Sequence, residues 1–285
     1  MKRVLGIDIG GRTTKLALVS PNGATEGITS IETSADSFLE RVFAAAASLG
    51  PFEGVGISLA GFVNDERTAM FYNPNIAWLQ GCPLTSAFEE RFRLPVALDA
   101  DSNAAALAEY RVGVGRGSKR FLSLVIGTGV GGGMVIDGEI ARVAHGGLGD
   151  IGHVIVEPFG RECGSGCRGC AEATISAPAI EARAGGISVR ELLARAEARD
   201  RATTEIFTEA GRLLGVAIAS QAVILFPDVV SIAGGVAEAG DLLLAPAREA
   251  FHALVGPFYR DGVVIAKAAL GWQAPLVGAA LPLFD

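Results

Sequence analysis

The chain has 285 residues, of which half are apolar and 19% are charged. That length allows two domains of ordinary size, and that composition excludes a chain that is disordered throughout. The formal net charge of −7 excludes a basic nucleic-acid-binding surface, but it does not exclude a nucleotide whose phosphates are held by backbone N–H groups and Mg²⁺.

The apolar segments bear on the cellular location of the protein. The opening apolar run is broken by Asp8, which predicts a strand and not a signal peptide. No apolar segment reaches the roughly 18 uncharged residues that a membrane span needs. We therefore expect a cytoplasmic protein that binds neither nucleic acid nor a membrane, and whose cysteines are reduced or metal-bound.

The first part of the chain predicts strands that end in glycine turns. Strands are predicted at 4–9, 16–20, 27–33 and 54–59, with a helix at 37–49. The first strand ends at Asp8 and the pair Gly10-Gly11, and the fourth ends at Ala60-Gly61. A glycine turn between two strands is weak evidence of function by itself, because most such turns only reverse the chain.

Further carboxylates, in addition to Asp8, follow a later predicted strand. The segment 73–78 predicts a turn, 83–92 a helix and 94–98 a strand. This strand leads into Asp99 and Asp101 and then into an Ala-rich helix at 104–110. The positive end of the helix dipole favours an ionised Asp there. The alternative interpretation is that Asp101 only caps the helix.

The opening pattern recurs after a flexible segment, Gly113–Gly117, which we interpret as an inter-domain hinge. A strand at 121–126 is followed by a glycine loop at 127–133, a strand at 134–136 and a tight turn. The recurrence of strand, glycine loop, strand and turn predicts an internal duplication of a phosphate-holding hairpin.

Three of the four cysteines, Cys163, Cys167 and Cys170, fall within eight residues and alternate with glycines. His153 lies ten residues before the first of them. Such spacings suit a tetrahedral zinc site, and the alternative is a loop of reduced thiols. The carboxylates Asp150 and Glu172 stand at either end of this segment, where a bound metal would fix them.

The remaining chain is mostly helical. Helices are predicted at 188–198, 203–225, 241–254 and 274–283, with strands at 229–232 and 263–266. Gly234-Gly235 lies between a strand and a helix, an arrangement that holds phosphates or nucleosides in many folds but is unspecific alone.

The motif Gly-Asp-Ile-Gly-His at 149–153, followed by C-x-S-G-C-x-G-C-x-E, resembles the signature of the ROK family of sugar kinases and sugar-responsive repressors. That family reads G-E-x-G-H and then C-x-C-G-x-x-G-C-x-E. The resemblance implies that His153, Cys163 and Cys170 bind Zn²⁺. Ser165 occupies the position of the family's middle cysteine, and we expect Cys167 to supply the fourth ligand instead.

The resemblance extends over nearly the whole chain and implies a two-domain α/β fold of the actin-like ATPase (ribonuclease H-like) class with an inter-domain cleft. The implied domains are 1–114, completed by the C-terminal helix at 274–285, and 115–273. The implied cofactors are ATP, Mg²⁺ and Zn²⁺. The residues implied for the nucleotide and its metal are Asp8, Gly10, Gly11, Arg12, Thr13, Gly127, Thr128, Gly129, Gly131, Gly234 and Gly235.

The resemblance also implies the reaction, which is transfer of the γ-phosphate of ATP to a sugar hydroxyl, the primary 6-OH. Asp101 lies in a D-x-N-A motif and is implied as the general base. The residues implied for the sugar are Gly61, Asn75, Asp150, His153 and Glu172. We further expect a homodimer or homotetramer of a glucokinase-like or N-acetylhexosamine-kinase-like enzyme.

Two other functions are compatible with parts of the sequence. Family repressors carry a helix-turn-helix before the first hairpin, and because this hairpin starts at residue 4 of an acidic chain we do not expect a repressor. A non-catalytic sugar binder is motivated by three departures from the family pattern, at Arg12, Ala100 and Asp150, the last of which replaces a glutamate. The sequence does not name the sugar.

Overall fold

The computed structural model describes residues 2–144, 147–148, 150–198 and 200–285. The chain divides into two compact units. The first comprises Met1–Arg116, Gly133–Gly149 and Trp272–Asp285, and the second comprises Gly117–Gly132 and Asp150–Gly271. The first crossing between the units thus falls within the predicted hinge segment.

A five-stranded mixed sheet forms the centre of the first unit, in the order β3-β2-β1-β4-β7. Strands β1 to β3 form an antiparallel meander, whereas β4 and β7 run parallel to β1. The strands are β1 (Val4–Ile9), β2 (Thr13–Val19), β3 (Thr25–Glu32), β4 (Val55–Leu59), β5 (Phe62–Val63), β6 (Met70–Tyr72) and β7 (Val96–Ala100), with β5 and β6 in a separate ribbon.

Helices cover this sheet because their apolar residues recur at helical spacing. Helix α1 (Phe38–Ser48) buries Phe38, Val42 and Ala46, which lie four residues apart on one face. Helix α2 (Leu84–Phe92) and a 3₁₀ segment at Pro74–Leu79 also pack on the sheet, and α3 (Asp101–Val112) follows β7 directly.

The strands of the second sheet have the order β10-β9-β8-β11-β12. Strands β8, β11 and β12 are mutually parallel where they neighbour one another. The strands are β8 (Arg120–Ile126), β9 (Val130–Ile136), β10 (Glu139–Ile140), β11 (Val229–Ala233) and β12 (Val264–Lys267). The repeat of two hairpin strands followed by parallel strands is the duplication that the sequence predicts.

The helices of the second unit surround α7. They are α4 (Ala171–Ile175), α5 (Ala177–Arg183), α6 (Val189–Glu197), α7 (Arg201–Leu225), α8 (Asp241–Leu254) and α9 (Pro257–Arg260); the chain ends in the first unit with α10 (Ala274–Ala280). Helix α7 is long and apolar enough to cross a membrane by length and composition, but 56% of its most apolar stretch is buried within the protein. It packs along α8, which approaches closely at Gly211 and Gly215.

One predicted element is wrong. The segment 127–133 is not a loop throughout, because β9 begins at Val130 and includes Gly131. These glycines serve close packing: a Cβ at Gly132 would overlap the carbonyl oxygen of Ser123 and the side chain of Ile151. The compact units also differ from the predicted domains, since residues 133–149 belong to the first unit.

Candidate active site and metal centre

The turn between β1 and β2 presents the residues predicted to hold phosphate. Gly11, Arg12 and Thr13 are exposed, whereas Thr14 is buried and hydrogen-bonded to the hydroxyl of Thr33 at 2.8 Å. Gly10 donates its N–H to the carbonyl of Thr13 at 3.2 Å and thereby closes the turn. Thr13 is therefore the threonine that remains available to a ligand.

Asp8 lies at the end of β1 in register with Ser58 of β4. The Ser58 hydroxyl donates a hydrogen bond to Asp8 Oδ1 at 2.9 Å. Burial raises the pKa of Asp8, although the Ser58 hydrogen bond and the charge of Lys15 oppose this rise. A carboxylate that is costly to ionise in this way is a suitable ligand for a hard divalent cation, whose charge would offset the cost.

Asp101 is the first residue of α3 and not its N-cap. The N-cap is Ala100, which has no side-chain capping group. The Asp101 carboxylate accepts the N–H of Ser102 at 2.6 Å. Burial, together with the nearby negative charge of Asp8, nevertheless raises the pKa of Asp101 to about 7. A carboxyl group with this pKa can act as a base near neutral pH.

Asp99 has a different environment, although it lies only two residues earlier. Strand β7 ends at Ala100, so strand alternation does not continue to Asp101. The Asp99 carboxylate forms an ion pair with Arg142 and accepts hydrogen bonds from Ala100 and Asn103. Its acceptor oxygens are thus engaged within the protein, which favours Asp101 as the group available to a substrate.

The residues predicted to bind sugar in the first unit lie around an asparagine that sequence analysis missed. Asn73 is buried and caps the 3₁₀ segment by accepting the N–H of Asn75 at 2.8 Å. Its amide also donates to the carbonyl of Ala60 at 2.9 Å, next to Gly61. The side chain of Asn75 is left exposed. The Asn-Pro-Asn sequence, with proline in the first helical turn, is the signal that could have identified this cap.

His153, Cys163 and Cys170 form a cluster whose potential ligand atoms all lie within 4.8 Å of one another. His153 Nδ1 lies 3.4 Å from the Sγ atom of Cys170 and 3.7 Å from that of Cys163. One imidazole nitrogen and two thiols are a donor set that zinc prefers. Cys170 also caps α4, where its sulfur accepts the N–H of Ala173.

The other nitrogen of His153 faces oxygen atoms. Nε2 lies 3.0 Å from Ser165 Oγ and 3.3 Å from Asp150 Oδ2. A carboxylate on the distal nitrogen fixes the tautomer in which Nδ1 is free to bind a metal. Cys167 does not belong to the cluster, and its part in metal binding stays a prediction. Gly149, the first residue of the predicted motif, lies outside the described residues.

Glu172 is held on the first turn of α4. Its Oε2 atom accepts the N–H of Val130 at 3.1 Å and lies against Gly129. Glu172 lies near enough to influence Asp150: burial raises the pKa of Asp150, the charge of His153 opposes this rise, and the charge of Glu172 adds to it. The structure therefore brings Asp150, His153 and Glu172 together beside the glycine turn of the second unit.

The glycine motifs of the second unit meet at one edge of its sheet. The turn Gly127–Gly129 follows β8, and Gly234-Gly235 follows β11, which is parallel to β8. Gly234 has φ +90°, and a Cβ there would overlap the backbone of Ile126. The carboxyl ends of adjacent parallel strands are where α/β proteins commonly bind nucleotides.

The raised pKa of Asp101 predicts a pH-dependent cost to stability. Below pH about 4 the group is protonated in both folded and unfolded chains. The cost to stability accumulates as pH rises from about 4 to about 7, where only the unfolded chain is ionised, and it is complete above that range. Asparagine resembles the protonated form. We expect Asp101→Asn to stabilise the metal-free protein by at least about 1 kcal/mol at pH 8.5 and by roughly half as much at pH 5.5, near the middle of this range.

Urea unfolding at the two pH values measures this difference. Asp99→Asn serves as the control, because it breaks an ion pair and should destabilise the protein. Equal stability of wild type and Asp101→Asn at pH 8.5 would contradict the assignment of a desolvated carboxylate.

Comparison with known proteins places this arrangement in a family. The ROK family profile matches residues 4–283. A glucokinase from Halalkalibacterium halodurans is 33% identical, over 96% of this chain and 92% of that protein. An N-acetylmannosamine kinase from Haemophilus influenzae is 29% identical, over 98% and 94%. The crystal structure of a ROK family glucokinase from Streptomyces griseus with glucose and AMPPNP matches with a TM-score of 0.85 and 32% identity, over 98% of both chains. The chain belongs to the ROK family and has the two-domain actin-like ATPase fold of its sugar kinases.

Proposed function

We propose that this chain transfers the γ-phosphate of ATP to the 6-OH of a hexose or hexose derivative, with Asp101 as the general base. ATP-dependent sugar kinase activity follows from its membership of a family whose matched relatives are glucokinases and N-acetylmannosamine kinases. The single observation that carries the finer assignment is the desolvated Asp101 carboxyl group, with a pKa of about 7. A base with that pKa is about half ionised at neutral pH and accepts a proton readily.

Phosphoryl transfer requires an aligned nucleophile and stabilised phosphate charge. In this proposal Asp101 accepts the proton of the attacking hydroxyl, while Asn75 and the neighbourhood of Gly61 bind other hydroxyls of the sugar. The exposed residues Gly11, Arg12 and Thr13 of the turn offer backbone groups to the phosphates, which can approach closely at Gly11 because glycine has no Cβ.

Asp8 is the residue that we propose for Mg²⁺. It offers a desolvated carboxylate oxygen close to Asp101, and oxygen ligands suit this ion. When bound, Mg²⁺ supplies neutralisation of charge on the β- and γ-phosphates. In the second unit, Gly127–Gly131 and Gly234-Gly235 are proposed for the remainder of the nucleotide.

A structural zinc ion is proposed at His153, Cys163 and Cys170. Its effect would be to hold the segment that carries Asp150, His153 and Glu172, so that these side chains meet the sugar in fixed positions. The alternative function, a non-catalytic sugar binder, is disfavoured because the Asp8 and Asp101 carboxyl groups remain close together at a cost to stability. A homodimeric or homotetrameric state and a cytoplasmic location stay predictions.

Zinc content tests the metal proposal. We expect about one equivalent per chain after mild purification, and loss of most of it in Cys170→Ser, because a thiolate ligand is removed. Cys82→Ser is the matched control, since Cys82 belongs to the first unit and should leave the zinc content unchanged. Less than about half an equivalent in the wild type would contradict the proposal.

The fourth ligand is tested by a separate pair of variants. Cys167→Ser should release zinc if that thiolate completes the site, whereas Ser165→Ala should release it if the Ser165 hydroxyl, which lies 3.1 Å from Cys163 Sγ, does so.

Sugar preference is expected to differ from that of a typical glucokinase of the family. Ala100 lacks an amide that the family pattern supplies, and Asp150 is one methylene shorter than the usual glutamate. A buried sugar hydroxyl without its partner costs about 1–3 kcal/mol. We therefore expect a substrate screen over hexoses, N-acetylhexosamines and polyols to rank glucose below another substrate. A wide preference for glucose with an ordinary KM would contradict this expectation.

The role of Asp101 is tested by steady-state kinetics. We expect Asp101→Asn to fold, to bind ATP and to lower kcat by at least about 10²-fold, the usual effect of removing a positioned base. Asp99→Asn should lower kcat far less, because the group it changes is engaged within the protein. Near-normal turnover in Asp101→Asn, or a larger loss in Asp99→Asn, would overturn the assignment.

A further inference from the structure

We propose that Arg142, acting through Asp99, is a positioning residue for the general base. The inference rests on the proposed role of Asp101 and adds two residues that do not themselves contact the reacting atoms. The observation behind it is that the Asp99 carboxylate is hydrogen-bonded both to residues on either side of Asp101 and to the guanidinium group of Arg142, which is distant in the chain.

Asp99 makes an unusually complete set of contacts. Its Oδ1 atom accepts the N–H of Ala100 at 2.8 Å, the side-chain amide of Asn103 at 2.8 Å and Nη1 of Arg142 at 3.2 Å. Its Oδ2 atom accepts Nη2 of Arg142. The residues before and after Asp101 are therefore tied to a single carboxylate, which a two-pronged guanidinium group holds in place.

This network is mostly removed from solvent. The side chains of Asp99 and Arg142 are 13% and 27% exposed, and Asn103 is 1% exposed. Ion pairs that are partly desolvated hold their geometry better than flexible surface pairs, and removal of one partner leaves a costly unpaired charge. Loss of Arg142 would therefore release the Asp99 carboxylate from its fixed position.

Asp99 anchors the start of α3, where the N-cap residue supplies no side-chain hydrogen bond. Ala100 occupies the N-cap and contributes no side-chain hydrogen bond. Asp99, one residue earlier, instead fixes Ala100 through its N–H and Asn103 through its amide. The first turn of α3, and with it the direction of the Asp101 carboxylate, is set by this contact. A displacement of a catalytic group by about 1 Å can cost about 100-fold in rate.

A neighbouring ion pair provides a matched control. Arg111 pairs with the side chain of Asp285, at 2.7 Å between Nη2 and Oδ2. Arg111 and Arg142 both line a cavity of about 180 Å³ in the first unit, which also reaches Asp99. Both arginines thus line the same cavity and form an ion pair with an aspartate. Only the aspartate that pairs with Arg142 is hydrogen-bonded to the residues that flank Asp101.

The primary experiment measures kcat and KM for Arg142→Ala, Arg142→Lys and Arg111→Ala. We expect Arg142→Ala to lower kcat about tenfold and to leave KM for ATP unchanged, since positioning affects the reaction step. Arg142→Lys should recover part of the loss, because lysine restores the charge but not the fork. Arg111→Ala should keep kcat within about twofold of the wild type.

Chemical rescue separates positioning from general loss of structure. The cavity beside Asp99 can admit a free guanidinium ion where the arginine is truncated. Guanidinium chloride at about 20 mM, far below unfolding concentrations, should raise kcat of Arg142→Ala at least threefold and leave that of the wild type unchanged. A normal kcat in Arg142→Ala, or a loss of kcat that guanidinium does not rescue, would overturn the proposal. If Arg142→Ala fails to fold, Asp99→Asn replaces it, with an expected three- to tenfold loss of kcat.

A double-mutant cycle distinguishes failure of this inference from failure of the proposed base. If Arg142 acts through Asp101, Arg142→Ala should have little further effect on kcat in an Asp101→Asn background. An equal loss in both backgrounds would overturn the positioning role while Asp101 remained the base. Near-normal turnover of Asp101→Asn alone would overturn the assignment of the base.

Discussion

The burial of two neighbouring carboxyl groups, Asp8 and Asp101, governs the chemistry proposed for this protein. Two carboxyl groups near one another and away from water resist simultaneous ionisation, and the pKa of Asp101 rises to about 7 as a result of burial and of the charge of Asp8. The two groups lie near one another because of the strand order. Strand β1, which carries Asp8 near its end, is separated from β7 only by β4 in the sheet. The carboxyl ends of these parallel strands therefore bring the two groups to one edge.

The carboxylate of Asp99 is stabilised by partners that Asp101 lacks. This carboxylate is also partly desolvated, but Arg142 compensates it, and two further donors satisfy its oxygens. Two aspartates separated by one residue thus have opposite environments: one is paired and fixed, and the other is left uncompensated. The change from strand to helix at Ala100 creates the difference, because it ends the alternation that would have placed both on one face.

Most of the fold follows from the sequence because apolar periodicity and glycine turns are local signals. The meander at the start of the chain, the closing helix and the repeated hairpin were all predicted, and ROK family membership and the actin-like fold are confirmed by the comparisons. The extent of β9 was not predicted, because its glycines look like a loop. Their role in packing depends on Ser123 and Ile151, which are brought close only by the fold.

In the candidate sites too, contacts between residues distant in the chain could not be predicted from the sequence. The spacing of His153, Cys163 and Cys170 predicted a cluster, and their ligand atoms do lie close together. Spacing alone could not show that Ser165 and Asp150 lie near the other nitrogen of His153. Nor could it reveal Arg142, since a contact between residues more than forty positions apart leaves no local pattern.

The central claim is that Asp101 takes part in the chemical step. A single-turnover rapid-quench measurement, with enzyme in excess over ATP and above the Kd for ATP, and with saturating sugar, isolates phosphoryl transfer from binding and product release. We expect a transfer rate at least about 10²-fold lower in Asp101→Asn, with ATP and sugar affinities close to those of the wild type. An unchanged transfer rate, or a loss explained entirely by weaker sugar binding, would contradict it.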